Sequence, residues 1–298
     1  MKKILVILLL AVMILSLAAC TGERGSGNET TDEHTTPEQT TEQVLAPIRV
    51  LLKETTYGMD GNELNRREYK YDENGNLVVQ TDYKAGEKEL CQTNIYNEQN
   101  LLIRSETVFE QYPEAGSSAT YEYNDQGRLS KRRIFDYRGR LKDEIVYEYD
   151  ELGRTVKVQD KSSIITYTYG ENNSYIILEE DIKGAWSQRS EHIYDANGNE
   201  TNLRSYDGEE ISTERIYEYD EKNRPVKMTV YSYGEEISYS IWEYPDDYHA
   251  VWSAYREGEM VGTGTDEYNE FGELIKEISC NAAGLATQTI IYEYGIIE

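Results

Sequence analysis

Three cysteines and three histidines in 298 residues are too few for a zinc-finger array or a disulfide scaffold. Basic residues are also scarce, 30 against 56 acidic, for a net charge of −26. That balance repels nucleic acid and anionic membrane surfaces, so neither is expected as the main partner. Phenylalanine and tryptophan occur three times each and proline five times, against 27 tyrosines. No catalytic signature emerges. Asp and Glu are too abundant to single out a glycosidase pair, and His249, close to Asp246 and Asp247, has no nucleophile spaced to it. The expectation is a non-enzymatic protein without cofactor or metal, with an envelope enzyme as the remote alternative.

The first residues read as an address. Met1, Lys2 and Lys3 are followed by a 14-residue apolar run from Ile4 to Leu17. That suits a signal-peptide core and falls short of the ~20 residues of a membrane-spanning helix. Leu17-Ala18-Ala19-Cys20 resembles the bacterial lipobox, in which the cysteine is acylated and becomes the first residue after cleavage. The resemblance implies a leader over 1–19, palmitate-type lipidation at Cys20 and an exported protein held on the extracytoplasmic face of the cell membrane. Loss of Lys2 and Lys3 with the leader leaves 28 basic and 56 acidic residues. Residues 20–47 are rich in Thr and Glu and lack aromatics, a composition expected to form a disordered tether carrying an inert His34.

From residue 48 to 298 the chain repeats about every 25 residues. One column is tyrosine in all ten units: Tyr71, Tyr96, Tyr123, Tyr149, Tyr169, Tyr194, Tyr219, Tyr244, Tyr268 and Tyr294. Two residues earlier stand Tyr69, Asn94, Tyr121, Tyr147, Tyr167, His192, Tyr217, Trp242, Asp266 and Tyr292, and six units place Glu between the two columns. Period-two spacing sets both rings on one face of a strand and the carboxylate on the other. His192 is expected to replace a packed aromatic.

After the anchor Tyr comes Asp or Asn in seven units, and four residues after it Gly or Asn in eight. Those are the residues of a type I turn closed by a left-handed bulge. A second turn falls mid-unit, at glycines such as Gly61, Gly86, Gly116 and Gly139. Each unit is therefore a β-hairpin, and ten make about twenty antiparallel strands. Aliphatics such as Leu141, Ile145 and Ile211 are expected between the phenols. The architecture expected is one long, strongly coiled open sheet with exposed terminal strands; a five-bladed β-propeller is the alternative. In an open sheet Cys91 and Cys280 lie some 15 strands, on the order of 70 Å, apart, so both should be free thiols.

Tyr147-Glu-Tyr-Asp-Glu-Leu-Gly-Arg154, Tyr121-Glu-Tyr-Asn-Asp-Gln-Gly-Arg-Leu129 and Tyr217-Glu-Tyr-Asp-Glu-Lys-Asn-Arg224 resemble the YD repeat of RHS proteins. The resemblance covers about residues 48 to 298. In large members of that family the repeats build a spiral β-shell around a C-terminal toxin, with an aspartyl self-cleavage motif near the end. Here no Asp-Pro-x-Gly-Leu-like segment is found, and ten units are expected to be too few for a closed shell. The resemblance implies the repeat fold and export.

Asp72-Glu-Asn-Gly-Asn76 and Asp195-Ala-Asn-Gly-Asn-Glu200 read as turn formers, because an EF-hand loop needs 12 residues, a closing Glu and flanking helices. The repeat loosens where the tryptophans fall. Trp186, Trp242, Tyr244, Tyr248, Trp252 and Tyr255 form the candidate ligand-binding set, a platform for an extracellular glycan or envelope protein. The competing reading is that Trp fills wider places in the Tyr face, and the protein is then a structural spacer or scaffold without a ligand. The segment from Tyr112 to Ser118 lengthens one hairpin tip.

Overall fold

A computed structural model describes residues 47–297. The leader over 1–19, the lipidation site Cys20 and nearly all of the tether, His34 included, lie outside these residues. The described chain is twenty strands, β1 to β20 in chain order, with two short 3-10 turns at Pro113–Ala115 and Glu171–Asn173. Each strand pairs antiparallel with the next. β1 (Ile48–Gly58) also pairs with β20 (Ala286–Ile297), from Ile48 opposite Ile297 to Gly58 opposite Gln288 with one bulge at Leu52.

The sheet is thus a closed barrel, neither the open coiled sheet nor the propeller, and ten units are enough to close it. Right-handed twist accumulating over twenty strands curls the sheet until its edges meet, and their pairing satisfies two rows of amides and carbonyls that an open sheet leaves bare. No terminal strand remains for end-to-end association. At ~4.8 Å per strand the perimeter is on the order of 95 Å. Cys91 and Cys280 are free thiols, but through the seam β4 (Glu87–Tyr96) and β19 (Leu274–Asn281) are five strand steps apart rather than fifteen. That is still ~24 Å, well beyond disulfide reach.

The two phenol columns share one face, and that face is the inner one. On β8 (Leu141–Tyr149), Ile145, Tyr147 and Tyr149 are half-buried while Val146 and Glu148 are exposed. On β4, Asn94 is buried and Tyr96 half-buried while Thr93 and Ile95 are exposed. Side chains on the concave side of a cylinder converge, so the less accessible face is the interior. Val158 and Met228 stand opposite Tyr147 and Tyr217, Leu203 stands opposite His192, and Ile145 precedes Tyr147 by two on β8. Leu141 is exposed at its turn, and Ile211 pairs with Tyr206 on the outer face, displaced by bulges that the alternating pattern does not reveal.

Outside, charge dominates. Arg133 bridges Glu122 and Glu144, Arg204 bridges Glu191 and Glu214, and Lys157, Lys276 and Lys53 pair with Glu148, Glu267 and Glu293. A barrel facing lipid needs an apolar band at mid-height, and charged side chains there are costly. These carry charge at mid-strand.

The type I turns gather at one mouth together with Ile48 and Ile297. In the first, the Asp72 carboxylate accepts from the Asn74 and Asn76 amides at 3.0 and 2.9 Å, and Gly75 sits at φ +81° to close the turn. Both Asp72 oxygens are used inside the turn, the second by the Asn76 side-chain amide. Mid-unit turns line the opposite mouth. Gly116 is the exception among their glycines: at φ −60° it follows the 3-10 turn, and its hydrogen faces the Thr107 carbonyl, where a Cβ would come within 2.9 Å.

Candidate functional site

The inner wall is built in layers from the mouth that holds the chain ends. In seven of the ten hairpins the anchor Tyr hydroxyl caps a strand-end carbonyl beyond the last ladder pair. The first pair between β3 (Leu77–Lys84) and β4 is Val79 with Thr93, leaving the Leu77 carbonyl unpaired on that side; the Tyr96 hydroxyl donates to it at 3.0 Å. Tyr71, Tyr123, Tyr149, Tyr169, Tyr219 and Tyr244 repeat the bond to Leu51, Leu102, Leu129, Thr155, Glu200 and Pro225 at 2.7–2.9 Å. Burial raises the phenols of Tyr71, Tyr96, Tyr123, Tyr169, Tyr219 and Tyr244, Tyr219 to about 12, and it does the same to Tyr268 of the same column.

The turns interlock laterally. Arg154 donates to Asp150 of its own turn at 2.7 Å and lies 4.2 Å over the Tyr169 ring of the next unit. Arg224 does the same with Asp220 and, at 4.0 Å, Tyr244. At the seam, Arg49 of β1 makes two bonds to Glu273 at 2.9 and 2.7 Å and covers Phe271 at 4.0 Å.

Deeper, the second column meets the wall's functional groups. His192 stacks on Tyr175 with centroids 4.6 Å apart, and its Nδ1 lies 2.7 Å from Glu200; it is the packed aromatic substitute expected. Trp242 and Trp252 are cross-strand partners on β16 (Glu235–Glu243) and β17 (His249–Arg256) and face inward. The Trp252 indole lies over Gly264 of β18 (Glu259–Tyr268), where a Cβ would come within 2.5 Å of the ring and 2.3 Å of the Ile278 carbonyl. Beside them stands Asp266, the one acid in the aromatic column. Its cross-strand partner is Glu277, which accepts from the Tyr292 hydroxyl. Burial, with the Glu277 charge second, pushes the Asp266 carboxyl up to about 6, and its Oδ1 is enclosed without a hydrogen-bond partner.

The six aromatics of the candidate set do not form one platform. Trp242, Trp252 and Tyr244 share the inner wall, with the Tyr244 hydroxyl committed to Pro225. Tyr255 is on the outer face, stacked on Tyr239 at 4.6 Å. Tyr248 is exposed in the turn after β16, and Trp186 is exposed at the opposite mouth. Strand alternation and turn placement separate residues that are close in sequence. His249 Nδ1 lies 2.8 Å from Asp246 within one exposed turn. Asp266, Glu277 and Tyr292 were not among the candidates; the signal for them was the acid in a column otherwise aromatic or amide.

The chain matches no family model and no curated protein. Among solved structures, a porin-like protein from Bacteroides uniformis is 14% identical, over 82% of this chain and 96% of that one, with a TM-score of 0.39. The Tc holotoxin pore of Photorhabdus luminescens is 10% identical over 78% of this chain, with a TM-score of 0.30. The TcdB2–TccC3 complex without its hypervariable C-terminal region also matches at 10% over 78%, with a TM-score of 0.29. The chain spans 17% of the length of those two toxin chains.

Proposed function

We propose that this is a non-enzymatic bacterial surface lipoprotein of YD-repeat type, anchored through Cys20, whose barrel binds an extracellular partner on its inner wall. The observation that carries the reading is the inward Trp242–Trp252 pair. Indole faces stack on sugar rings. A glycan is therefore the favoured partner, ahead of an envelope protein.

The test is a glycan array probed with the chain from residue 21, alongside Trp242→Ala and Trp252→Ala. Binding that both variants lose supports the reading; no binding, or binding that survives in both, removes it. Palmitate labelling of the exporting cell, lost in Cys20→Ser, tests the anchor separately.

A structural spacer is the second reading. It is favoured by the anchor phenols, whose hydroxyls are spent on strand-end carbonyls, and by Trp252, which fills the notch at Gly264.

A further inference from the structure

The two mouths differ in chemistry. The mouth with the chain ends carries an acid in nearly every turn, including Glu73, Glu98, Asp125, Glu151, Glu221 and Glu270. Two such mouths repel each other. The opposite mouth is divided. Three successive turns, at 137–140, 160–162 and 182–186, carry Arg138, Arg140, Lys142, Lys161 and Lys183, all exposed. The next three, at 208–209, 233–234 and 257–258, carry Glu209, Glu210, Glu235, Glu236, Glu257 and Glu259, also exposed.

These charges are largely unspent. Arg140 pairs with Asp136 of its own turn, while Asp160 and Asp181 fold back on their own turn amides. Among the described residues the other four cations have no carboxylate within salt-bridge distance, Lys161 donating instead to the Lys142 carbonyl and Arg138 to the Tyr137 hydroxyl, and none of the six glutamates has a cation. Arg256 flanks the acidic arc. Large apolar side chains crown the same mouth: Met59 is 71% exposed, Tyr112 and Leu285 61%, Tyr233 56% and Trp186 47%.

We infer that this mouth docks on the same mouth of a second copy, forming a two-fold dimer. The argument is charge complementarity within one surface. Turns follow one another around the mouth at two-strand intervals. A two-fold axis in the mouth plane, midway between turns 182–186 and 208–209, therefore exchanges the arcs. It lays 182–186 on the partner's 208–209, 160–162 on its 233–234 and 137–140 on its 257–258. Every basic turn meets an acidic one, and the exchange is reciprocal, as an isologous contact requires. The same operation sets Tyr112 against Leu285 and Met59 against the small turn at Ala85 and Gly86. The docking surface is separate from the inner wall and does not depend on what that wall binds.

The test is sedimentation of the unlipidated chain from residue 21, under reducing conditions, over a range of concentration and salt. A dimer is expected whose dissociation constant rises about tenfold or more from low to high salt, as exposed charge pairs are screened. Arg138→Glu/Lys161→Glu/Lys183→Glu makes both arcs predominantly acidic, and Glu209→Lys/Glu235→Lys/Glu257→Lys makes both predominantly basic. Each variant alone should be monomeric, with a wild-type circular dichroism spectrum, and the two mixed should form a heterodimer. A wild-type chain monomeric at all concentrations, or a dimer indifferent to both reversals, overturns the proposal. So does a wild-type monomer whose basic arc instead captures vesicles of anionic lipid.

Discussion

Arg49 and Glu273, 224 residues apart in the chain, meet in a two-bonded ion pair across the closure seam. The Arg49 guanidinium covers Phe271 as Arg154 covers Tyr169 elsewhere on the rim. The seam is therefore closed by the same kind of lateral contact that joins one repeat to the next, supplied from the opposite end of the sequence.

Arg49→Ala and Glu273→Gln should each lower the melting temperature, and the double variant should lower it little further, because both remove one contact. Thermal unfolding of the three proteins checks this. Amide exchange gives the complementary reading: amides of β1 and β20 should be protected like those of interior strands, whereas an open sheet would leave outer edges exchanging fast.

Tyr149 separates hydroxyl from ring. Its bond to the Leu129 carbonyl replaces a missing rung, so Tyr149→Phe should cost ~1 kcal/mol. Tyr149→Ala also loses half-buried aromatic surface and should cost ~2–4 kcal/mol. Equal losses in denaturant titration would mean that the hydroxyl bond contributes nothing.

Much of this was legible in the chain. Tyr71 and Tyr96, read with their neighbours, give the repeat, because period two and a 25-residue spacing are local facts. Asp72 and Gly75 give the turn, because a type I turn with a bulge needs those residue types within five positions. Closure was not legible. The pairing of Ile48 with Ile297 depends on accumulated twist, which leaves no local mark. The candidate set is divided for a different and local reason. Tyr255 and Trp252 are three residues apart, an odd number of steps along a strand, and so face opposite sides.

Gly264→Ala should destabilise by roughly 1–3 kcal/mol, since the new methyl meets the Ile278 carbonyl and the Trp252 ring. Tryptophan emission should shift as the indole is displaced. Gly198→Ala is the control. No atom stands near its Cβ position, and only the left-handed backbone, φ +87°, resists the change, at about 1 kcal/mol.

Asp266 sets a pH dependence opposite to that of the turn aspartates. Its folded carboxyl titrates at about 6, above its unfolded value near 4. The folded state therefore binds the proton more tightly, and this group adds stability as pH falls from above 6 towards 4. Asp266→Asn should raise stability at pH 7 by roughly 1–2 kcal/mol, the full shift being reduced by solvent screening of a partly buried group, and flatten the profile between pH 4 and 7. Asp72 and Asp220 are held below the usual carboxylate range, Asp72 chiefly by the Asn76 side chain and Asp220 by the Arg224 amide. Their contribution is present above pH 4 and lost as pH falls through their folded values. Denaturant titrations of both proteins from pH 3 to 8 check the signs; a variant no more stable than wild type at pH 7 refutes the assignment.

Because every unit adds one up-strand and one down-strand, the number of staves is even whatever the number of units. Loss or gain of a whole unit changes the girth by two staves and still brings the first and last together head to tail. Loss of half a unit would bring them together running the same way, with the wrong hydrogen-bond spacing for the seam. The ring can change size only in whole hairpins.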